Sequence, residues 1–217
     1  MPVSENLIAI KNSLPGNVTL VAVSKFKSAE LIREAYEAGQ RDFGENYVQE
    51  LTEKYEQLPK DIRWHFIGHL QSNKAKYIAP FVYLVHGVDS LKLLKEIDRQ
   101  ALKNKRVIDC LLQLHVAQEE TKFGFDVEEC LSVFESGEIS ALKNVNVTGL
   151  MAMASNTDSE EQVKKEYMTV KQLADKLKSN GFELKLLSYG MSGDYKIAIE
   201  CGSNMVRIGS SIFGARE

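Results

Sequence analysis

The sequence predicts an α/β fold, a single (β/α)8 barrel of the TIM type, and three observations support this prediction. Eight short runs rich in Val, Ile, Leu and Phe recur along the 217 residues. These runs are continuously apolar rather than alternating, as expected of parallel strands that are covered on both faces. Eight units in a chain of this length leave about 27 residues each, which is what one strand, one helix and two short loops need. A doubly wound open sheet is the alternative, but it usually has fewer strands and often a glycine-rich first turn, which Ser24-Lys25-Phe26-Lys27 is not.

The strand candidates are the eight apolar runs themselves. In chain order they cover residues 18–23, 41–44, 64–68, 83–88, 107–116, 145–152, 183–188 and 205–213.

The clearest helix lies between the sixth and seventh runs, over residues 158–180. Its apolar residues fall on one face at helical spacing: Val163, Tyr167, Val170, Ala174 and Leu177. Asp158 and Glu161 are spaced as a capping box at its start, and Gly181 supplies a left-handed stop. A second helix is expected from an N-cap at Ser28 to Gly39, and a third over residues 90–103.

No Pro/Ser-rich linker or low-complexity tract divides the chain. We therefore expect one barrel domain over residues 1–217, in which residues 1–17 form a helical leader.

Composition and charge exclude several classes of protein. The net charge is −3, with 27 basic and 30 acidic residues scattered along the chain, which disfavours a non-specific binder of nucleic acid or anionic membranes. No apolar signal segment or stretch of 18 uncharged apolar residues is found, which predicts a cytoplasmic protein. Three cysteines lie far apart, so we expect them to be reduced, with Cys110 in the core. His69, His86 and His115 lack metal-ligand spacing, and no metal site is predicted.

In a β/α barrel, functional residues collect where the strands end. Glycines and serines crowd residues 188–194 and 207–211, after the seventh and eighth strands, where backbone N–H groups and hydroxyls can bind a phosphate. The same residues also form ordinary turns and caps.

Three further side chains follow strand ends. Lys25 could act as an amine nucleophile toward an aldehyde, but Lys27 has the same strand parity and most such lysines extend into solvent. Asn46 and His65 could hydrogen-bond a ligand ring, or be a helix cap and a packed core histidine.

Five motifs follow one another along the chain. They are Val23-Ser24-Lys25, Phe43-Gly44-Glu45-Asn46-Tyr47, Trp64-His65-Phe66-Ile67-Gly68-His69-Leu70-Gln71-Ser72-Asn73-Lys74, Gly190-Met191-Ser192-Gly193-Asp194 and Arg207-Ile208-Gly209. Together they resemble the pyridoxal phosphate homeostasis protein family over nearly the whole chain after residue 18.

The resemblance implies a fold type III barrel, like the N-terminal domain of alanine racemase, that binds pyridoxal 5'-phosphate. It implies that Lys25 forms an internal imine with the cofactor and that Arg207 faces the pyridine nitrogen. The remaining implied positions hold the phosphate (Ser192, Gly209 and Ser210) or line the ring pocket (Asn46, His65 and Met151). Because a guanidinium cannot hand over a proton, the ring would stay a weak electron sink.

The expected function is therefore that of a non-enzymatic, cytoplasmic, monomeric protein of vitamin B6 homeostasis. It would buffer pyridoxal 5'-phosphate or deliver it to apo-enzymes, influence amino-acid pools, and have neither nucleic-acid nor membrane partners. One alternative is a pyridoxal phosphate-dependent amino-acid racemase, which needs a second acid/base group, normally from an added domain and a partner subunit. The chain ends at Glu217, directly after strand eight, which argues against that domain. Another alternative is a barrel that binds a different phosphorylated metabolite without an imine.

Overall fold

The protein is a closed barrel of eight parallel strands in the computed structural model, which describes residues 2–118 and 123–214. Each strand pairs with its sequence neighbours, and β1 closes the barrel by pairing with β8. This arrangement confirms the predicted (β/α)8 fold.

The strands are β1 (Thr19–Val23), β2 (Asp42–Glu45), β3 (Arg63–Phe66), β4 (Leu84–Val88), β5 (Ile108–Leu114), β6 (Val145–Ala152), β7 (Leu186–Ser188) and β8 (Met205–Ile208). The helices in the described residues are α1 (Val3–Ser13), α2 (Ala29–Glu37), α3 (Val48–Gln57), α4 (Ala75–Ile78), α5 (Leu91–Lys103), α6 (Val127–Glu135), α7 (Glu138–Ala141), α8 (Glu160–Ser179), α9 (Tyr195–Glu200) and α10 (Ser210–Phe213).

All eight predicted strands are present. The ends of β1 to β5 differ from the prediction by one or two residues, β6 matches it, and β7 and β8 differ by more. The strand β7 begins at Leu186 rather than residue 183. The apolar run at the C-terminal end continues to Phe213, but β8 stops at Ile208 because Gly209 ends it and residues 210–213 turn into α10.

The predicted helices are also present, and one predicted cap is wrong. The helix α8 is capped by Ser159, whose hydroxyl accepts from the backbone N–H of Gln162, so the expected box at Asp158 and Glu161 lies one residue too early. Gly181 has the expected left-handed conformation, with φ +90°. Ser28 is the N-cap residue of α2, although its side chain makes no capping hydrogen bond.

The apolar residues form two cores. The larger core lies between the sheet and the surrounding helices and includes the whole predicted face of α8. A smaller cluster lies in the barrel interior and consists of Val21, Leu84, Leu111, Met151 and Met205.

The three cysteines are buried and unpaired, and burial raises the pKa of Cys110, which lies in the larger core as predicted. Within residues 2–118 and 123–214, no helix has the length and apolarity to cross a membrane. In the same ranges, no three His, Cys, Asp or Glu side chains converge as a metal site would need.

Candidate functional site

A cavity of about 300 Å³ opens at the end of the barrel where the carboxyl ends of the strands meet. Residues at or just after the ends of β1, β2, β3, β6, β7 and β8 line its wall. This is the end of a β/α barrel at which ligand sites are found. We call this space the mouth cavity.

Most of the predicted site residues meet at the mouth cavity. Six of the eight line it: Lys25, Asn46, Ser192, Arg207, Gly209 and Ser210. Lys27 lines it too, so the lining alone does not choose between the two lysines.

His65 and Met151 do not line the mouth cavity. Both are fully buried, His65 among polar partners inside the barrel and Met151 in the smaller core. Ile67 and Met153, each two residues further along the chain, line the cavity instead. Because residues i and i+2 of a barrel strand point inward in successive layers, the expected residues lie one layer too deep.

Small residues from two loops form one wall of the mouth cavity. The hydroxyl of Ser192 accepts from the backbone N–H of Gly209 at 3.4 Å, which joins the loop after β7 to the loop after β8. A Cβ atom at Gly209 would lie 3.1 Å from the carbonyl oxygen of Val23, so glycine allows β8 to approach β1 closely here. Ser210 follows at the first residue of α10, whose opening N–H groups have no partner inside the helix. This wall therefore presents N–H and hydroxyl donors to an anion.

Asp194 orders the loop after β7. One carboxylate oxygen accepts from the backbone N–H of Met191 at 2.6 Å, and the other accepts from the hydroxyl of Tyr167 at 2.6 Å. Gly190 begins the loop with φ +99°, and a Cβ atom there would lie 2.5 Å from that of Ala198. Glycine is therefore required at this turn.

Arg207 forms the floor of the mouth cavity and is almost fully buried. Its guanidinium donates to the carbonyl oxygen of Ser188 at 2.7 Å, to the Ser188 hydroxyl at 2.8 Å and to the carbonyl oxygen of Ala152 at 3.0 Å. Burial lowers the pKa of Arg207, while Tyr167 and Asp194 counteract this. An arginine stays protonated even so, and it can only donate hydrogen bonds.

A chain of hydrogen bonds continues from Arg207 through the barrel, and we call it the interior relay. The Ser188 hydroxyl lies 3.0 Å from Nδ1 of His86, and Nε2 of His86 lies 2.9 Å from Nδ1 of His65. Nε2 of His65 lies 3.0 Å from a carboxylate oxygen of Asp42.

The two ends of the interior relay fix the direction of every bond in it. Arg207 can only donate, and the Asp42 carboxylate can only accept. Burial lowers the pKa of both histidines and keeps them neutral, so His65 donates to Asp42, His86 donates to His65, and Ser188 donates to His86. Each histidine therefore carries its proton on Nε2. The sequence motifs contained His65 but gave no signal for His86 or Ser188, since three distant strands bring them together.

A second cavity of about 530 Å³ lies beside the mouth cavity. Of the eight predicted site residues, only Asn46 lines it. The amide oxygen of Asn46 is buried and has no hydrogen-bond partner among the described residues. A buried acceptor without a partner, located between two cavities, can accept a hydrogen bond from a ligand group such as a ring hydroxyl.

The mouth cavity thus offers a set of groups that fits a small phosphorylated carbonyl compound with a ring nitrogen. Lys25 and Lys27 supply an amine for the carbonyl group, and the loops of Ser192 and Ser210 supply donors for a phosphate. Arg207 supplies a donor for an unprotonated ring nitrogen.

Fold and site together define a class of protein, that of the alanine racemase N-terminal domain. The family model "Alanine racemase, N-terminal domain" matches residues 2–217. An alanine racemase of Clostridium difficile has the same fold, with a TM-score of 0.85 at 19% identity, and the match covers 99% of this chain and 57% of that one.

Within this class, the chain belongs to the pyridoxal phosphate homeostasis protein family. It is 42% identical over 200 residues to the family member of Aquifex aeolicus, covering 91% of this chain and 87% of that protein. It is 41% identical over 209 residues to that of Vibrio alginolyticus, covering 94% and 88%. The structure of PipY from Synechococcus elongatus with PLP bound has a TM-score of 0.89 at 34% identity, and the match covers 98% of this chain and all of PipY.

Proposed function

We propose that this protein binds pyridoxal 5'-phosphate in the mouth cavity, holds it covalently through Lys25, and serves vitamin B6 homeostasis by buffering or delivering the cofactor. One observation carries the proposal. A lysine amine, a wall of phosphate donors and a buried arginine converge on one cavity of about 300 Å³, although they come from distant parts of the chain.

Each group has a part in this proposal. Pyridoxal 5'-phosphate would supply an aldehyde and an electron-withdrawing ring. Lys25 provides the amine that bonds to the aldehyde carbon, and Arg207 donates to the ring nitrogen and keeps it unprotonated. Ser192 and Ser210 hold the phosphate through hydroxyl and N–H donors, each charge-assisted bond contributing about 1.5–3 kcal/mol. Gly209, whose N–H donates to the Ser192 hydroxyl at 3.4 Å, lets the backbone approach the phosphate closely.

The relatives support this assignment. Those of Aquifex aeolicus and Vibrio alginolyticus are named pyridoxal phosphate homeostasis proteins, and PipY has been solved with PLP bound. Choosing Lys25 over Lys27 rests on the Val23-Ser24-Lys25 motif.

A binding role fits the mouth cavity better than amino-acid racemisation. A racemase needs a second acid/base group opposite the amine. Among the described residues that line the cavity, Lys25 and Lys27 are the only side chains that ordinarily serve as acid or base. An unprotonated ring nitrogen also limits the stabilisation of a carbanion.

The proposal includes a cytoplasmic monomer that passes its cofactor to apo-enzymes. Unpaired, buried cysteines fit a reducing compartment. The three kinds of binding group come from a single chain, so the site needs no second subunit.

Borohydride trapping tests the proposal. Wild-type protein mixed with pyridoxal 5'-phosphate and reduced should carry one cofactor adduct, which mass spectrometry locates on Lys25. Lys25→Ala should lose this adduct, and Lys27→Ala, the matched control from the same turn, should keep it. An adduct lost in Lys27→Ala and kept in Lys25→Ala would contradict the assignment, and no adduct in wild type would contradict the function.

A further inference from the structure

The turn that carries Lys25 has an unfavourable backbone conformation. Phe26, the next residue, has φ +62°, in the left-handed region that bulky side chains rarely adopt. Its ring is largely exposed, and among the described residues the one aromatic ring that it contacts is that of Tyr47, at 5.2 Å between centroids. Packing of the Phe26 ring therefore does not account for this backbone geometry, and other contacts must hold it.

Polar groups hold the turn on both sides of Lys25. On one side, the Ser24 hydroxyl donates to Glu45 at 2.5 Å, and the Ser24 carbonyl oxygen accepts from the Lys54 ammonium at 2.7 Å. On the other side, the backbone N–H of Phe26 donates to Glu50 at 2.6 Å.

The three residues that hold the turn also bind one another. The Lys54 ammonium lies 2.8 Å from a Glu45 oxygen and 2.6 Å from a Glu50 oxygen. We call Glu45, Glu50 and Lys54 the turn clamp.

Burial of the turn clamp costs free energy, because its charged groups lose their contact with water. Glu45 is fully buried, Lys54 is 7% exposed, and the second carboxylate oxygen of Glu45 has no hydrogen-bond partner among the described residues. Burial raises the pKa of Glu45 to about 7, although Lys54 and Ser24 oppose the rise. Buried ion clusters of this kind add little stability compared with apolar packing, so stability alone does not explain the clamp.

We infer that Glu45, Glu50 and Lys54 are positioning residues for Lys25, which fix the strained turn so that the amine faces the mouth cavity. The inference rests on the proposed function, because it assigns these residues to the lysine that would bond the cofactor. In physical terms, the clamp raises the population of the turn conformation that is competent to bind. Its loss should weaken apparent binding in proportion to the fall in that population.

Two ligands separate an effect on Lys25 from a general effect on the site. Pyridoxal 5'-phosphate can bond to the lysine, whereas 4'-deoxypyridoxine 5'-phosphate has the same ring and phosphate but no aldehyde. Glu50→Ala should raise the apparent Kd of pyridoxal 5'-phosphate about tenfold, as expected for the loss of a hydrogen bond to a charged group. The Kd of the deoxy compound should stay within about twofold of wild type.

Matched variants complete the test. Glu53→Ala, an exposed glutamate on the same helix, is the control and should bind both ligands as wild type does. Glu50→Gln keeps an oxygen that accepts from the Phe26 N–H but removes the charge that pairs with Lys54, so its affinity should lie between those of wild type and Glu50→Ala. Phe26→Gly in the Glu50→Ala background should recover binding, since glycine adopts positive φ readily.

Three outcomes would overturn the inference. They are equal losses for both ligands in Glu50→Ala, no loss for either ligand, or no recovery on adding Phe26→Gly. Failure of the proposed function looks different, because wild-type protein would then show no trapped adduct at all.

Discussion

Replacement of Asp42 by asparagine tests the acceptor end of the interior relay. Asp42 accepts from His65 at 3.0 Å and from Arg63 at 2.7 and 2.5 Å. Burial alone would raise the pKa of Asp42, but the hydrogen bonds and charges of Arg63 and His65 outweigh it and lower the pKa from 3.8 to about 2. Asp42→Asn removes the charge and keeps the size of the side chain.

The expected effect follows from this pKa. A carboxyl group whose pKa falls from 3.8 to about 2 on folding stabilises the folded state by about 2 kcal/mol at neutral pH. Because the folded pKa is the lower one, this contribution is fully present above about pH 4 and is lost as the pH falls through about 2. About half of it is gone at pH 3.

Urea unfolding at pH 7, 4 and 3 measures the effect. Wild type should exceed Asp42→Asn by about 2 kcal/mol or more in the free energy of unfolding at pH 7 and at pH 4, and the difference should shrink by about 1 kcal/mol at pH 3. Asp61→Asn is the matched control, since Asp61 is exposed and pairs with Arg41 at the surface, and it should cost less than about 1 kcal/mol. A difference for Asp42→Asn that stays constant from pH 7 to pH 3 would refute the reasoning.

Three further predictions concern the mouth cavity and the relay. In titrations, Ser210→Ala should weaken the binding of pyridoxal 5'-phosphate about tenfold and leave that of pyridoxal nearly unchanged, because only the phosphate loses a donor. Equal losses for the two ligands would indicate a packing defect. Ser188→Ala leaves Nδ1 of buried His86 without its partner and should lower the free energy of unfolding by about 1–3 kcal/mol in urea. Unchanged stability would contradict a hydrogen bond between Ser188 and His86. With excess pyridoxal 5'-phosphate, the protein should exchange the α-hydrogen of L-alanine for deuterium no faster than free cofactor does, as measured by NMR. Faster exchange that is abolished in Lys25→Ala would favour a racemase.

The fold was predictable because parallel barrel strands leave continuous apolar runs that are easily read from a sequence. Their ends were harder to place. The last run was extended to Phe213 because buried Ile212 and Phe213 follow β8 closely, although Gly209, Ser210 and Ser211 separate them from the strand. The capping residues Asp158 and Ser159 are chemically equivalent candidates.

The sequence predicts which strands carry the site residues, but not how deep each residue lies along the barrel axis. A motif places a residue on a particular strand. Because every second side chain of a strand points into the barrel, His65 and Ile67 both point inward and differ only in the layer that they occupy. The turn clamp was harder to predict. Glu50 and Lys54 have the i, i+4 spacing of an ordinary surface pair, and only the fold shows that Glu45 lies beneath them.

The interior relay has an electrostatic consequence for the mouth cavity. Among the described residues, the hydrogen bonds from the Arg207 guanidinium go to two carbonyl oxygens and a hydroxyl, and none goes to a carboxylate. Every hydrogen of the relay points away from the cavity, so the aligned dipoles turn their negative ends toward the guanidinium and their positive ends toward Asp42. The carboxylate that acts on Arg207 is that of Asp194, which raises the pKa of the guanidinium, whereas Asp42 at the far end of the relay pairs with Arg63. A ligand in the mouth cavity therefore meets a cation whose field is moderated by these dipoles and by a carboxylate to which, among the described residues, the guanidinium makes no hydrogen bond.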